Sequence, residues 1–143
     1  MLGIGAERVI TRGVTDLPAA VDEATGGPPI DVVADLVGGV IFNNLLRILR
    51  AEGRYTTVGA IVGPVVQLDL RTVYLKQLQL LDSSQGTRAD FRPIVRYVGA
   101  KNIKPLAGGV YKLSDFHRVQ TDFMAKGFVG KLVVAPDAIW GDS

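Results

Sequence analysis

Strand-like and helix-like patterns of apolar residues alternate along this chain. An apolar run over residues 30–37 is typical of a strand that is buried on both faces of a parallel sheet. Two glycines follow it, and residues 40–51 then carry apolar side chains at helical spacing, with Gly53 as the predicted end of that helix. Residues 55–58 form the next predicted strand, which again ends at a glycine, Gly59. The pattern therefore predicts a strand, a helix and a second strand in succession.

A short strand and a helix are predicted before this unit. Residues 7–11 are a short apolar segment of the strand type. Thr15 or Asp16 can accept hydrogen bonds from the first turn of a helix, in which Pro18 is well tolerated. The glycines and prolines at 26–29 are then expected to end this helix.

Capping and turn residues divide the rest of the chain. Thr87 is a predicted helix cap with Asp90 three positions later, and Pro93 is expected to disturb that helix. Ser114 is expected to cap a last helix, which ends at Gly127. The other predicted elements are a short helix at 72–77, strands at 79–83 and 130–134, extended segments at 103–106 and 108–113, and a loose tail at 135–143.

The order of these elements indicates an α/β protein. Strands that alternate with helices through the first two thirds of the chain favour right-handed β–α–β units and a parallel sheet. The carboxyl ends of parallel strands lie at one edge, where α/β sheets bind their ligands. Gly38, Gly39 and Gly59 would then lie at that edge and let a nucleotide approach the backbone. Two core strands with ordinary glycine turns are the alternative interpretation.

Composition and charge argue against several classes of protein. At 143 residues the chain is expected to form one domain, and its 48% hydrophobic and 21% charged residues are typical of a well-packed globular protein. The net charge is only +2 and the basic residues are scattered, which argues against a nucleic acid partner. No apolar stretch of the sequence reaches the ~18 residues that a membrane-spanning helix needs, so no membrane partner is expected.

The composition argues against metal sites and disulfide bonds. The sequence has no cysteine, so disulfides and thiolate metal sites are excluded and a cytoplasmic location is expected. Its one histidine, His117, is interpreted as a surface or hydrogen-bonded residue, and no zinc site is expected. Asp31 and Asp35 share one face of a strand but lie too far apart to share a proton, so both are interpreted as strand-end or turn residues.

The order and spacing of seven short segments carry a family resemblance. These segments are Gly5-Ala-Glu-Arg-Val-Ile10, Asp31-Val-Val-Ala-Asp-Leu-Val-Gly-Gly39, Leu49-Arg-Ala-Glu-Gly-Arg-Tyr55, Val58-Gly59, Lys76-Gln-Leu-Gln-Leu80, Tyr111-Lys-Leu-Ser114 and Gly130-Lys-Leu-Val-Val134. Together they resemble the medium-chain dehydrogenase/reductase superfamily, and most closely its zinc-free quinone-oxidoreductase and enoyl-reductase branch. Each segment alone is a loose motif, whereas their order and spacing together are specific.

The resemblance implies a partial fold. Family members have an N-terminal catalytic domain of GroES-like fold, followed by the first strands of a doubly wound, Rossmann-like sheet and a glycine-rich turn. No segment of this sequence matches those parts, and Gly3 and Gly5 do not form the turn because Arg8 stands where the motif needs its third glycine. The expected fold of residues 1–143 is therefore a partial Rossmann-like parallel sheet, the C-terminal part of an NAD(P)-binding domain. The chain would then be a piece of a longer protein, a truncated gene product or one half of a split protein.

By resemblance, two glycine-containing loops would line the cofactor through their backbone. The residues concerned are Val37, Gly38, Gly39, Val58, Gly59, Ala60 and Ile61, with Ser83, Ser84 and Gln85 beside the nicotinamide. Arg12 would pair with a 2′-phosphate, with a solvated surface arginine as the alternative. Lys131 would contact NADPH, with a surface lysine at a strand end as the alternative. Asp82 stands where the family usually has glycine, and its carboxylate would either repel a phosphate or point to solvent.

The resemblance also implies an activity and partners. Family members transfer a hydride between NAD or NADP and a quinone, enone or enoyl substrate, in this branch without zinc. Because the glycine-rich turn is the main phosphate anchor, this chain alone is expected to bind the cofactor weakly or not at all, and to be inactive. Residues 78–81 resemble the family's dimer edge and predict a homodimer, and a separate catalytic half is a further expected partner. A non-enzymatic nucleotide-fold module for self-association or subunit pairing is the alternative function.

Overall fold

Two compact units make up the chain, and they join in sequence between Gln85 and Gly86. The computed structural model describes residues 2–27 and 29–140. Helices and strands are present in both units, which confirms the α/β class, whereas the expectation of a single domain stays a prediction. Pro28 of the predicted helix stop and residues 141–143 of the predicted loose tail lie outside the described residues. In the part of the chain that is described, no helix has the length and apolar character needed to cross a membrane.

The sheet of the first unit is parallel, as predicted. It consists of β1 (Ile30–Asp35), β2 (Leu49–Thr57) and β3 (Gln79–Asp82), in that spatial order. Residues Val33, Tyr55 and Leu80 lie side by side across the three strands. All three strands therefore end at the same edge, which the sequence pattern had indicated as the ligand-binding edge.

Three helices accompany this sheet: α1 (Leu17–Thr25), α2 (Phe42–Ile48) and α3 (Leu70–Lys76). The predicted start of α1 is confirmed, because the Asp16 side chain accepts a hydrogen bond from the backbone of Ala19 at 3.1 Å. At its other end Gly26 adopts a left-handed conformation, with φ of 77°, as a helix stop.

The core of the first unit lies between β2, α2 and their neighbours. Its buried residues are Val33, Phe42, Leu46, Leu49, Tyr55 and Leu78. Leu46 has no solvent exposure, and the rings of Phe42 and Tyr55 meet edge to face with centroids 5.2 Å apart. This packing fixes the first turn of α2 against the C-terminal part of β2.

The structure corrects two predictions in the first unit. Residues 7–11 do not form a strand, because no strand among the described residues pairs with them, and Arg8 instead donates a hydrogen bond to the carbonyl of Ala24 in α1. Gly53 does not end a helix: α2 ends at Ile48, and β2 begins at Leu49 instead of Tyr55.

The early start of β2 follows from its register with β1. Ile30 pairs with Leu49, but Val32 pairs with Arg54, so the residues between them in β2 bulge out of the ladder. Glu52 lies in this bulge with φ of 61°, and a Cβ on Gly53 would come within 2.9 Å of the Arg50 carbonyl. The glycine thus permits a tight bulge where the sequence pattern suggested a helix end.

The second unit contains α4 (Arg88–Gly99), β4 (Ala107–Lys112), α5 (Phe116–Ala125) and β5 (Lys131–Ala135), with β4 and β5 paired in parallel. The predicted cap of α4 is confirmed, because Thr87 and Asp90 exchange hydrogen bonds in a capping box. The predicted disturbance at Pro93 is not observed, because the helix continues through this residue.

The last helix and strand are each displaced slightly from their predicted positions. Helix α5 begins after Asp115 because residues Leu113–Asp115 form a 3-10 turn, so Ser114 is not its cap. At its end Lys126, with φ of 55°, takes the left-handed position that was predicted for Gly127. Strand β5 runs one residue later than predicted.

Candidate functional site

Two loops meet at the carboxyl edge of the first unit's sheet. We name residues 36–41, after β1, the first glycine loop and residues 58–63, after β2, the second glycine loop. The backbone of Val58 donates to the carbonyl of Asp35 at 2.8 Å, and that of Val62 donates to the carbonyl of Val37 at 2.9 Å. Gly38 and Gly63 form an isolated parallel bridge, so the two loops continue the sheet beyond the ends of the strands.

The end of β3 joins the second glycine loop. The backbone of Ser83 donates to the carbonyl of Thr57 at 3.0 Å, and the Thr57 hydroxyl donates to the carbonyl of Gly59 at 3.3 Å. Ser84 and Gln85 follow Ser83 and are exposed, as is Asp82 at the end of β3. Backbone from three parallel strands therefore converges at one edge.

The first glycine loop requires glycine at two positions. Gly38 has φ of 65° and ψ of −158°, and a Cβ there would lie 2.8 Å from the carbonyl oxygen of Gly63. Gly39 has φ of 68°, and a Cβ there would lie 3.1 Å from the Val62 side chain. Both conformations are unfavourable for other residues, and the close approach of the two loops depends on them.

Asp35 lies beneath the first glycine loop and is only 4% exposed. Its carboxylate accepts hydrogen bonds from the backbone of Val37 at 2.8 Å, the backbone of Gly38 at 3.2 Å and the hydroxyl of Tyr55 at 2.7 Å. From the sequence alone Asp35 is interpreted as a strand-end or turn residue, and its contact with Tyr55 is not predicted. The available signal was a carboxylate within an apolar run, three residues before a glycine pair.

The environment keeps Asp35 ionised and Tyr55 protonated. Burial raises the pKa of the Asp35 carboxyl, but the hydrogen bonds from Tyr55, Val37 and Gly38 outweigh this effect and leave its pKa below the usual value. Burial, followed by the hydrogen bond to the Asp35 carboxylate, raises the pKa of Tyr55 to about 12. The pair is therefore a carboxylate and a neutral phenol at neutral pH.

A depression of about 490 Å³ adjoins the two glycine loops. It is lined by Gly39, Val40, Asn43, Val62, Gly63, Val65, Val66 and Gln67. Its lining contains apolar and amide side chains and no charged one, and Val40 and Val65 are 95% and 88% exposed. Such a surface can hold a flat, uncharged ring together with a hydrogen-bonding group.

Seven of the ten principal site residues predicted from the sequence lie along this edge: Val37, Gly38, Gly39, Val58, Gly59, Ala60 and Ser83. Arg12 is exposed in a turn before α1, and no hydrogen bond or ion pair of the described residues joins it to either glycine loop. Lys131 begins β5 in the second unit, where it lines a largely apolar depression with α5. Ser84 is the next residue after Ser83 in the sequence, but no hydrogen bond of the described residues joins it to either glycine loop.

Metal-binding chemistry is not apparent in the described residues. No group of three or more His, Asp or Glu side chains in residues 2–27 and 29–140 is arranged to hold a metal ion. His117 is exposed on α5, in line with its interpretation as a surface residue. The candidate site is accordingly the edge formed by the glycine loops.

A parallel sheet with glycine loops converging at its carboxyl edge defines the nucleotide-binding class of α/β proteins. Residues 1–99 match the family model described as zinc-binding dehydrogenase, and the chain belongs to this family. The resemblance to medium-chain dehydrogenases and the partial Rossmann-like fold are thereby confirmed.

Individual proteins show the same similarity. The chain is 73% identical, with a TM-score of 0.83, to a Sinorhizobium meliloti 1021 protein described as an alcohol dehydrogenase, covering 95% of this chain and 38% of that one. It is 36% identical, with a TM-score of 0.72, to a cobalt- and zinc-bound thermostable alcohol dehydrogenase from Pyrobaculum aerophilum, covering 94% and 38%. It is 26% identical to quinone oxidoreductase-like protein 2 of Bos taurus, covering 92% and 40%.

The chain spans well under half the length of each of these relatives. The prediction of a zinc-free branch stays a prediction, because a similar structure from Pyrobaculum aerophilum contains cobalt and zinc.

Proposed function

We propose that this chain forms the part of an NAD(P)-binding domain that contacts the ribose and nicotinamide of the cofactor in an oxidoreductase. The observation that carries the proposal is the meeting of the two glycine loops with Ser83 at the carboxyl edge of a parallel sheet. Ligand binding at this edge is the general rule for α/β sheets. The family to which the chain belongs supports the same class of cofactor.

The residues present fit the uncharged part of such a cofactor. The depression beside Gly39 has no charged lining, and the glycines allow a ligand to approach the backbone closely. When bound, the nicotinamide supplies the hydride that is transferred. The task of the two glycine loops is then to orient the ring and to shield one of its faces from water.

Arg12 is proposed as a contact for the charged part of the cofactor. Its guanidinium is exposed and can pair with a 2′-phosphate, which would favour NADP over NAD because NADH lacks this phosphate. Lys131 is exposed at the start of β5 in the second unit, and its contact with NADPH, which the resemblance implies, stays a prediction.

The proposed reaction is hydride transfer to a quinone, enone or enoyl substrate. The similarity to a quinone oxidoreductase-like protein supports this substrate class. Oxidation of an alcohol is the second candidate, and the 73% identity to the Sinorhizobium meliloti protein supports it. Quinone-dependent oxidation of NADPH and alcohol-dependent reduction of NADP⁺, assayed on a protein that includes a catalytic domain, distinguish the two reactions.

A calorimetric titration of the chain with NADPH tests the proposed cofactor. The chain alone is expected to bind NADPH with a dissociation constant near one millimolar, about −4 kcal/mol, and to show no turnover of simple quinones. Amide signals of Gly38, Gly39 and Ser83 should shift in an NMR titration. Micromolar binding or turnover above background contradicts the expectation of weak binding and inactivity. An absence of any shift at millimolar NADPH favours the non-enzymatic alternative, a module for self-association or subunit pairing.

Self-association is proposed to occur through β3. This strand pairs with β2 on one side, and no strand among the described residues pairs with its other side. Leu80 and Leu81 are 39% and 48% exposed there. Because an open strand edge with apolar side chains readily pairs with another chain, a second copy of β3 is the proposed partner.

A further inference from the structure

Tyr55 contacts both ends of the first glycine loop. Its hydroxyl donates to the carboxylate of Asp35, which immediately precedes the loop, at 2.7 Å. Its ring packs edge-on against Phe42, which immediately follows the loop, with centroids 5.2 Å apart. A single side chain from the neighbouring strand therefore holds both flanks of a six-residue loop.

Asp35 determines where two of the loop's donors point. Its carboxylate accepts the backbone hydrogens of Val37 and Gly38, so both N–H groups face inward towards the buried carboxylate. Every buried side-chain nitrogen or oxygen of the described residues has a hydrogen-bond partner, so the pair is part of a fully satisfied network.

We propose that Asp35 and Tyr55 are a positioning pair that fixes the first glycine loop with its N–H groups turned inward, so that the loop receives an uncharged ligand group and not a phosphate. The ligand half of this inference rests on the proposed cofactor function. Neither side chain touches the ligand in this arrangement; both act through the loop backbone.

The loop differs physically from a phosphate-binding turn. Phosphate sites at helix N-termini depend on free backbone N–H groups that point at the anion. Here the N–H groups of Val37 and Gly38 are already used, and the ionised Asp35 lies directly behind them. A phosphate at this loop would be repelled by the Asp35 carboxylate and could not use the N–H groups of Val37 and Gly38 as hydrogen-bond donors. A ribose hydroxyl or a carboxamide is uncharged and avoids that repulsion.

Backbone amide hydrogen exchange of the full chain tests the pair without any ligand. Tyr55→Phe keeps the ring against Phe42 and removes only the hydroxyl. The amides of Val37 and Gly38 should exchange at least about tenfold faster in this variant, while the ladder amides between β2 and β3 change much less. Asp35→Asn, which keeps the side chain's shape, should give the same selective effect.

A matched control distinguishes positioning from general stabilisation. Tyr111→Phe also removes a tyrosine–carboxylate hydrogen bond, the one of 2.9 Å from Tyr111 to Asp122 in the second unit, and should leave Val37 and Gly38 unchanged. If Tyr55→Phe accelerates all slow amides of the first unit by one common factor, or leaves Val37 and Gly38 unaffected, the positioning role is overturned.

Titrations then test the ligand half of the inference. NADPH binding should weaken between about twofold and tenfold in Tyr55→Phe, the range expected for one lost hydrogen bond, and should not change in Tyr111→Phe. Inorganic phosphate should leave the Gly38 amide signal of the wild-type chain in place; a saturable shift there overturns the claim that the loop excludes phosphate. If the wild-type chain does not bind NADPH at all, both the proposed function and the claim that the loop receives part of the cofactor are wrong. The amide exchange pattern would still show whether Asp35 and Tyr55 position the loop.

Discussion

Lys76 donates a hydrogen bond to the carbonyl of Arg47 at 2.6 Å, and so joins the end of α3 to the end of α2. The same ammonium also reaches the carbonyls of Leu46 at 3.4 Å and Leu49 at 2.8 Å. These carbonyls lie at the C-terminal end of α2, where the helix dipole favours a positive charge. One lysine thus satisfies acceptors that would otherwise lack partners within the helix.

Replacing Lys76 should destabilise the first unit. Lys76→Met keeps most of the aliphatic stem but removes the three contacts, and we expect a loss of about 1–2 kcal/mol in the free energy of unfolding. Lys104→Met, at an exposed position in the second unit, should change it by less than about 0.5 kcal/mol. Urea denaturation of the two variants and the wild type measures the difference. An equal change in the free energy of unfolding of both variants would show that the three hydrogen bonds of Lys76 do not stabilise the first unit.

Gly38 should not tolerate even one added methyl group. Its φ of 65° with ψ of −158° is unfavourable for alanine, and the new Cβ would lie 2.8 Å from the Gly63 carbonyl. We expect Gly38→Ala to cost about 2–4 kcal/mol of stability, from strain together with the steric clash.

Gly99→Ala is the matched control for Gly38→Ala. Gly99 ends α4, and a Cβ there meets nothing within 4 Å. Alanine should be neutral at this position or stabilise by up to about 1 kcal/mol, because it restricts the unfolded chain. Thermal unfolding compares the two variants, and a Gly38→Ala protein as stable as the wild type would mean that the two glycine loops are not closely packed.

The pKa of Tyr55 predicts how stability depends on alkaline pH. The folded state raises this pKa from 10.0 to about 12, so folding favours the protonated phenol. The resulting stabilisation is fully present below pH 10 and is lost as the pH rises through about 12. Tyr55→Phe should therefore flatten the fall in stability over this range. The measurement is chemical denaturation at a series of pH values, with Tyr111→Phe for comparison because the pKa of Tyr111 is also raised, first by its hydrogen bond to Asp122.

The sequence predicts the elements of this fold better than the contacts between them. The strand before Gly38 and the capping box of Thr87 and Asp90 depend on local patterns, and both are confirmed. Residues 7–11 have a local strand pattern but no strand partner among the described residues, and strand formation needs a partner as well as a pattern. Local spacing gave no indication of the bulge at Gly53 because it arises from the register between β1 and β2.

The candidate site shows the same division. The glycines of both loops could be identified because they follow apolar strands, and the loops do meet. The Asp35–Tyr55 hydrogen bond joins residues twenty positions apart on neighbouring strands, and no spacing rule within one element reveals it. Periodicity indicates which face of a strand is buried, whereas partners across strands depend on register.

A charge on the open edge of β3 should prevent the proposed self-association. Leu81→Lys places a cation on a strand edge, a change that natural sheets use against edge-to-edge pairing. We expect the wild-type chain to be a dimer at tens of micromolar by light scattering and Leu81→Lys to be a monomer. Leu113→Lys, on a residue that is 56% exposed in the second unit, should leave the dimer intact. A strictly monomeric wild-type chain contradicts the proposal.

Arg12 should distinguish the two nicotinamide cofactors. An exposed guanidinium that pairs with the 2′-phosphate forms a charge-assisted contact worth about 1–3 kcal/mol, and NADH has no group with which to form it. Arg12→Ala should therefore weaken NADPH binding by that amount and leave NADH binding nearly unchanged. NMR titrations of both cofactors against the wild type and the variant measure the two affinities.

Salt and a second arginine supply the controls for Arg12. Screening should reduce the preference for NADPH over NADH in the wild-type chain as the salt concentration rises, because the contact is exposed. Arg92→Ala removes an exposed arginine from α4 and should affect neither cofactor. Equal losses for NADPH and NADH in Arg12→Ala would mean that the side chain stabilises the turn before α1, and the choice of NADP over NAD would then have to depend on another residue.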